Sequence, residues 1–142
     1  MREGELGGVV EPVEFLVDED LASRSVVAAL RAAGMHVRTV PEEFGKGCLD
    51  VDWLPKAGDH GWVVLTKDKA MRRTPLEIAA VREARVAYFA LTRGNLTAAQ
   101  MVAAILAARA DIEAIVQSRR GRRAIVGKIG VTGAVRVVET WP

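Results

Sequence analysis

Carboxylates follow two short apolar segments of this chain, and this placement is typical of a metal site. Asp18 and Asp20 come after the segment F-L-V at 15–17, and Asp68 comes after V-V-L-T-K at 63–67. Because neighbouring parallel strands end at the same edge of a sheet, we expect these three carboxylates to lie close together. Carboxylates at such a distance repel one another unless a cation lies between them. Hard divalent cations such as Mg²⁺ take oxygen ligands of this kind, so the sequence predicts a magnesium site.

An alternation of predicted strands and helices positions these acids. Strands are predicted at 13–17, 36–40, 61–65 and 86–91, with helices at 21–33, 53–57 and 75–84 and a long helical region from 97. Such alternation indicates an α/β fold with a mainly parallel central sheet and helices on its faces. Two further segments, at 124–129 and 134–138, predict a terminal β-hairpin. The predicted loop at 41–50 can reach the carboxyl edge of the sheet, which adds Asp50 to the candidate acids.

Helix capping is an alternative role for several of these acids. Asp20 directly precedes the helix predicted at 21–33, and aspartate is a favoured N-cap residue. Asp50 or Asp52 could cap the short helix at 53–57 in the same way. Asp68 could stabilise a turn after its strand. The sequence therefore leaves capping and metal ligation open at Asp20, and it leaves open which of Asp50 and Asp52 joins the site.

Length and composition favour a single domain. Residues 1–12 are rich in Gly and Glu and are expected to form a flexible lead-in. The remaining residues, 13–142, are expected to form one domain, in which 97–140 is a C-terminal helix and hairpin extension. No apolar segment is long enough to span a bilayer, the first residues lack the layout of a secretory signal, and Cys48 is the only cysteine. We therefore expect a cytoplasmic protein without membrane contact.

Charge is divided unevenly along the chain. Residues 1–60 contain 12 acidic and 6 basic residues, whereas residues 61–142 contain 6 acidic and 14 basic residues. A basic segment attracts an anionic partner, and nucleic acids bind such surfaces through neutralisation of their phosphates. Salt bridges between the two halves explain the same asymmetry equally well. The charge distribution is thus compatible with RNA binding but does not require it.

Several segments of the sequence resemble the PIN-like domain family, and more narrowly its VapC-type toxins. The resemblance rests on F-L-V-D-E-D-L at 15–21, D-V-D-W-L-P at 50–55, G-W-V-V-L-T-K-D-K at 61–69, R-R-T-P-L-E at 72–77 and F-A-L-T-R-G-N-L-T at 89–97. It implies a three-layer α/β/α fold and a metal-dependent endoribonuclease that hydrolyses single-stranded RNA. Such proteins are toxins of toxin–antitoxin pairs, so a cognate antitoxin and a homodimer are further expectations.

The resemblance also implies roles for individual residues. The acids of the family fall on Asp18, Asp50 and Asp68, which are expected to be catalytic and to bind Mg²⁺ or Mn²⁺, and Asp20 falls on a secondary position of the metal site. Substrate contacts are expected from the residues around the third acid, namely Thr66, Lys67, Lys69, Arg72 and Arg73. A fourth acid that is frequent in the wider family has no match in T-R-G-N-L-T at 92–97. This difference leaves one metal or two as alternatives.

Other functions fit parts of the same pattern. Asp18-Glu19-Asp20 matches the outline of the D-x-D motif of haloacid-dehalogenase-type phosphatases, although Leu21-Ala22 stands where that family has glycine and hydroxyl residues. Response-regulator receivers also group acids at strand ends, but they need a late lysine in a K-P setting that this chain lacks. A non-catalytic binding module with the same fold is a third alternative.

Overall fold

The computed structural model describes residues 12–67, 75–93, 95–119, 121 and 123–140. Its elements follow the chain in the order β1 (Glu14–Val17), α1 (Arg24–Ala32), β2 (His36–Thr39), α2 (Val40–Phe44), α3 (Asp50–His60), β3 (Val63–Lys67), α4 (Pro75–Ala84), β4 (Ala87–Leu91), α5 (Ala98–Ser118), β5 (Ile125–Ile129) and β6 (Val135–Thr140). Apart from Pro12, the predicted lead-in lies outside the described residues.

The six strands form one sheet in the order β2-β1-β3-β4-β5-β6. Every neighbouring pair is parallel except β5 and β6, which are antiparallel. The central strands β1 and β3 are buried on both faces, which is why F-L-V and V-V-L are apolar throughout rather than alternating. The predicted mainly parallel sheet is confirmed, and the carboxyl ends of β1, β3, β4 and β5 lie at one edge of it.

Helices cover both faces of the sheet. Helices α1 and α5 pack on one face, in a core that includes Phe15 and Ile105. Helices α2, α3 and α4 pack on the other face, in a core that includes Leu16, Trp53 and Val81. Neighbouring residues of β1 thus contribute to opposite cores, as the two-residue period of a strand requires. The predicted three-layer α/β/α architecture is confirmed.

Helix α5 lies on the opposite face from α4, although both helices connect neighbouring parallel strands. The connections β3–α4–β4 and β4–α5–β5 advance across the sheet in the same direction. Because their helices lie on opposite faces, the two crossovers have opposite hands, whereas nearly all such crossovers share one hand. Helix α5 therefore does not cover β5 and β6 on the face of the sheet that carries α4.

The terminal hairpin is part of the central sheet rather than an extension outside it. Strand β5 pairs in parallel with β4 along its whole length, from Ala87 opposite Ile125 to Leu91 opposite Ile129. Strand β6 then pairs antiparallel with β5 and forms the edge of the sheet. The hairpin was predicted from its two β-like segments, whereas its position beside β4 depends on contacts distant in sequence.

The predicted cap of the first helix is wrong. Helix α1 begins at Arg24, three residues later than predicted, and its N-cap is Ser23, whose hydroxyl accepts the Val26 N–H at 3.3 Å. Asp20 lies in the preceding turn. Leu21 is fully buried in the core below α1, and its N–H donates to the Asp18 backbone and side chain, which holds 18–22 out of the helix. Asp20 is therefore released from the capping role.

The helix predicted at 53–57 begins earlier and has no side-chain cap. Helix α3 begins at Asp50, with Leu49 as the N-cap residue, so neither Asp50 nor Asp52 caps it. Both acids lie in its first turn, where negative charge is favourable near the N-terminus of a helix. The predicted loop at 41–50 contains the short helix α2, which is capped by the Thr39 hydroxyl. The loop proper is thereby reduced to 45–49.

Replacing Ser23 should destabilise the protein more than replacing Asp20. Ser23→Ala removes the acceptor for the Val26 N–H, and the loss of such a cap lowers the free energy of unfolding by about 1 kcal/mol. Asp20→Ala leaves every α1 cap contact in place. Chemical denaturation of the two metal-free variants measures the difference. A larger loss for Asp20→Ala would contradict the assignment of Ser23 as the cap.

Candidate active site and metal centre

Asp18 is the first residue after β1, and its carboxylate is held by two neighbours. Its Oδ1 accepts the Leu21 N–H at 3.1 Å, and its Oδ2 accepts the Thr66 hydroxyl of β3. The Asp18 N–H donates to the Leu65 carbonyl at 3.2 Å, which continues the β1–β3 pairing by one residue. The strand pairing and both side-chain contacts therefore fix the Asp18 carboxylate at the carboxyl edge of the sheet.

The electrostatic environment makes Asp18 difficult to ionise. Burial raises the pKa of its carboxyl group from 3.8 to about 6, against the opposing effect of the Thr66 and Leu21 hydrogen bonds. The negative charges of Asp20 and Asp50 raise this pKa further, which shows that both acids lie within electrostatic reach of Asp18. Three of the four predicted metal ligands thus belong to one electrostatic cluster.

Asp20 and Asp50 are exposed, unlike Asp18. Asp20 lies in the turn after β1, and Asp50 is the first residue of α3. The apolar neighbours of Asp50 are also exposed, with Leu49 at 65% and Val51 at 57% of their full accessibility. The first turn of α3 is therefore open to solvent at the point where it approaches Asp18. An acid at this position can exchange protons with water or reach a substrate.

Glu19 fixes the loop that leads to Asp50, a role that the sequence analysis missed. Its Oε1 accepts the Gly47 N–H at 2.9 Å, which ties the turn after β1 to the loop before α3. Gly47 has a φ of +75°, a conformation that a residue with a side chain rarely adopts. No local pattern could have indicated this contact, because an exposed carboxylate needs no protein partner and Gly47 lies 28 residues from Glu19 in the sequence.

The structure describes two of the predicted substrate residues, Thr66 and Lys67, both in β3. Thr66 is only 3% exposed and its hydroxyl is bonded to Asp18, so it supports the carboxylate. Lys67 is next to Thr66 in β3 and therefore projects toward the opposite, α1–α5 face of the sheet. The remaining predicted site residues, Asp68, Lys69, Arg72 and Arg73, lie outside the described residues.

The donors around Asp18 fit a divalent cation. Among the residues that the structure describes, no three His, Cys, Asp or Glu side chains are grouped closely enough to form a complete metal site. The described part of the site is a fixed, partly buried carboxylate with two further carboxylates within electrostatic reach. A cation would offset both the cost of burying the Asp18 charge and the repulsion among the three acids. Carboxylate oxygens are also the ligands that Mg²⁺ and Mn²⁺ prefer.

Metal binding at this site should depend on pH in a defined window. A cation competes with the proton on Asp18, whose pKa is raised to about 6 mainly by burial. The apparent affinity for Mn²⁺ should therefore be constant above this pKa and fall by about tenfold for each pH unit below it. Calorimetric titration with Mn²⁺ between pH 5 and 8 measures the effect. An affinity that stayed constant down to pH 5, the lower end of this titration, would contradict it.

Comparison with known proteins assigns the chain to a family. A family model described as a PIN-like domain matches residues 13–93, which is more than half of the chain and includes β1 to β4. The chain therefore belongs to the PIN-like domain family, and the predicted resemblance is confirmed. It is similar to the Mycobacterium tuberculosis (strain ATCC 25618 / H37Rv) protein named "Putative ribonuclease VapC45". The two are 29% identical over 102 residues, which cover 69% of this chain and 74% of the relative.

Two further comparisons complete this description. No solved structure matches the chain. Within the described parts of the chain, none of the helices combines the length and apolarity needed to cross a membrane.

Proposed function

We propose that this protein is a metal-dependent endoribonuclease and the toxin of a toxin–antitoxin pair. The observation that carries the proposal is the Asp18 carboxylate, fixed by Thr66 and Leu21 beside two other acids at the carboxyl edge of a PIN-like sheet. Membership of the PIN-like family and the similarity to a protein named as a ribonuclease support the same activity. The substrate is single-stranded RNA, the cofactor is Mg²⁺ or Mn²⁺, and the protein acts in the cytoplasm.

The residues of the site have separate tasks in this hydrolysis. A divalent cation supplies activation of water and neutralisation of charge on the phosphate. Asp18 and Asp68 hold it, with Asp20 as a further ligand. Asp50, exposed at the start of α3, would orient the attacking water and accept its proton while the water oxygen bonds to phosphorus. The phosphorus–oxygen bond to the leaving group then breaks, and the leaving oxygen takes up a proton from solvent. Membership of the PIN-like family favours this hydrolysis over phosphotransfer through an acyl phosphate on Asp18.

A single metal fits the described site better than two. The segment 92–97 occupies the place of the family's fourth acid, and its threonine hydroxyls form hydrogen bonds within the protein. The Thr92 hydroxyl donates to the Ile129 carbonyl at 3.4 Å, and the Thr97 hydroxyl accepts the Gln100 N–H at 3.1 Å as the cap of α5. Asn95 remains, exposed, in the turn between them. We therefore propose that the site holds one tightly bound cation. We also propose that the chain is active as a homodimer and inactive when its cognate antitoxin is bound.

Cleavage of labelled RNA tests the proposed function. We expect the wild-type protein to cut single-stranded RNA when Mn²⁺ is present and to lose this activity in a chelator, with duplex RNA cut much more slowly. Asp18→Asn should lose this activity as well, whereas its matched control Asp111→Asn, at an exposed acid on α5, should cleave at the wild-type rate. Cleavage that persists in chelator would refute metal dependence. A phosphoenzyme trapped from an acyl-phosphate donor, without RNA cleavage, would favour phosphotransfer instead.

A further inference from the structure

Two basic residues of the terminal hairpin lie in the same row of the sheet as the proposed active site. Successive pairings across β3, β4, β5 and β6 link Thr66 to Ala90, Ala90 to Lys128 and Lys128 to Arg136. Asp18 joins the row because the β1–β3 register continues to it and its carboxylate accepts the Thr66 hydroxyl. Residues paired directly across strands point to the same face of a sheet. The side chains of this row therefore share one face.

The face that they share is the one that carries α4. Val126 and Val138, each two residues from a member of the row, belong to the core on that side. Helix α5 contacts β5 and β6 from the other side. Toward the carboxyl edge, Lys128 is half-buried and Arg136 is exposed. The hand of the β4–α5–β5 crossover thus leaves this pair open to solvent on the active-site face.

The arrangement of the two cations favours an anionic ligand. Lys128 and Arg136 are directly opposite each other in an antiparallel pair, where like charges destabilise the sheet. No described residue forms an ion pair with Arg136. A phosphate bound beside Arg136 would supply a negative charge opposite its guanidinium, and Lys128, which also has a contact within the protein, would add a second positive charge to the same face. Ala90, which lies between them and Thr66 in the row, is itself only 6% exposed, so a substrate would reach the pair along the carboxyl edge of the sheet rather than over the row.

We propose that Lys128 and Arg136 form a phosphate-binding subsite that holds the single-stranded RNA on one side of the cleavage position. This inference rests on the proposed ribonuclease function and names the part of the surface that the substrate follows. At a strand spacing of about 4.8 Å, Lys128 lies about 14 Å and Arg136 about 19 Å from Asp18 along the row, a span of a few nucleotides. The described basic residue next to the site in sequence, Lys67, projects toward the other face.

The double variant Lys128→Gln, Arg136→Gln tests the subsite. Its affinity for a fluorescent oligouridylate, measured by polarisation in chelator so that no cleavage occurs, should fall by about tenfold. The slope of log affinity against log salt concentration should decrease by about 1.4, since each single-strand phosphate contact contributes about 0.7. In cleavage assays with Mn²⁺, KM should rise with kcat little changed. A dinucleotide too short to reach Lys128 and Arg136 should be cut as well by the double variant as by the wild type.

The matched control is Lys56→Gln, Arg82→Gln, which removes the same charge from exposed positions on α3 and α4. Equal losses of RNA affinity in both double variants would overturn the subsite, because a general charge effect would then explain them. Unchanged RNA affinity with weakened binding of oligoglutamate would also overturn it and assign the pair to an acidic protein partner. Because binding is measured without metal, a wild-type protein that binds RNA through this pair but never cleaves it would refute the proposed nuclease function alone.

Discussion

Asp18→Asn should reduce Mn²⁺-dependent RNA cleavage by about a thousandfold, because the loss of a ligand that organises the cation removes several kcal/mol of transition-state stabilisation. The fold should survive the change. An asparagine keeps the oxygen that accepts the Leu21 N–H, and its amide can donate to the Thr66 hydroxyl. Thr66 can in turn donate to the Lys67 carbonyl, which lies 3.3 Å from its hydroxyl. The loss of activity would therefore reflect the missing charge rather than a distorted site.

The same substitution should stabilise the metal-free protein at neutral pH. The pKa of Asp18 is raised from 3.8 to about 6, so the folded state holds the proton more tightly than the unfolded state does. The protonated Asp18 carboxyl therefore contributes its full stability below the pKa that Asp18 has in the unfolded state. This contribution is lost as the pH rises through the pKa that Asp18 has in the folded state. At pH 7.5 the variant, which has no charge to bury, should be more stable by about 2 kcal/mol.

Chemical denaturation at two pH values, with and without Mn²⁺, measures both effects. The stability advantage of Asp18→Asn should shrink toward zero near the pKa of an unperturbed aspartate. Added Mn²⁺ should stabilise the wild-type protein and have little effect on the variant. If Asp18→Asn cleaves RNA at the wild-type rate, Asp18 is not part of the site. If Asp18→Asn is less stable than the metal-free wild type at pH 7.5, burial of the Asp18 charge does not destabilise the wild-type protein.

Gly58→Ala should destabilise the contact between α3 and α4. Gly58 is buried in α3, and an added Cβ would lie 1.8 Å from the Ala84 carbonyl oxygen and 2.9 Å from its carbon. Both atoms are backbone, so no side chain can move aside and the two helices would have to separate. Overpacking of this kind costs about 3 kcal/mol, only partly offset by the gain in helix propensity of up to about 1 kcal/mol.

The substitution should also weaken metal binding, because α3 carries Asp50 in its first turn. Thermal and chemical denaturation measure the loss of stability, and calorimetry with Mn²⁺ measures the affinity. Gly130→Ala is the matched control, since its Cβ would meet nothing closer than the Ala134 oxygen at 3.6 Å. Equal stability of the two variants would show that α3 and α4 do not approach as closely as Gly58 indicates.

The layers of the fold could be predicted from the sequence because each strand is short, apolar and followed by a helical pattern. Helix α5 is an example, since Thr97 and Gln100 form the capping box that marks its start. The start of α1 could not be predicted in the same way. Asp20 and Ser23 are equally suitable N-cap residues, and the choice between them depends on Leu21, whose burial in the core keeps its segment out of the helix.

The sequence by itself determined that Asp18 ends a buried strand, since a charged residue rarely continues one. It left open which of Asp50 and Asp52 joins the site, and the structure brings Asp50 within electrostatic reach of Asp18. Tertiary structure alone decided the roles of Thr66 and Glu19, whose partners Asp18 and Gly47 are distant in sequence. It also decided that the terminal hairpin shares a row and a face with the site. The register of the strands and the handedness of the β4–α5–β5 connection follow from packing between elements. No local pattern of residues encodes either of them.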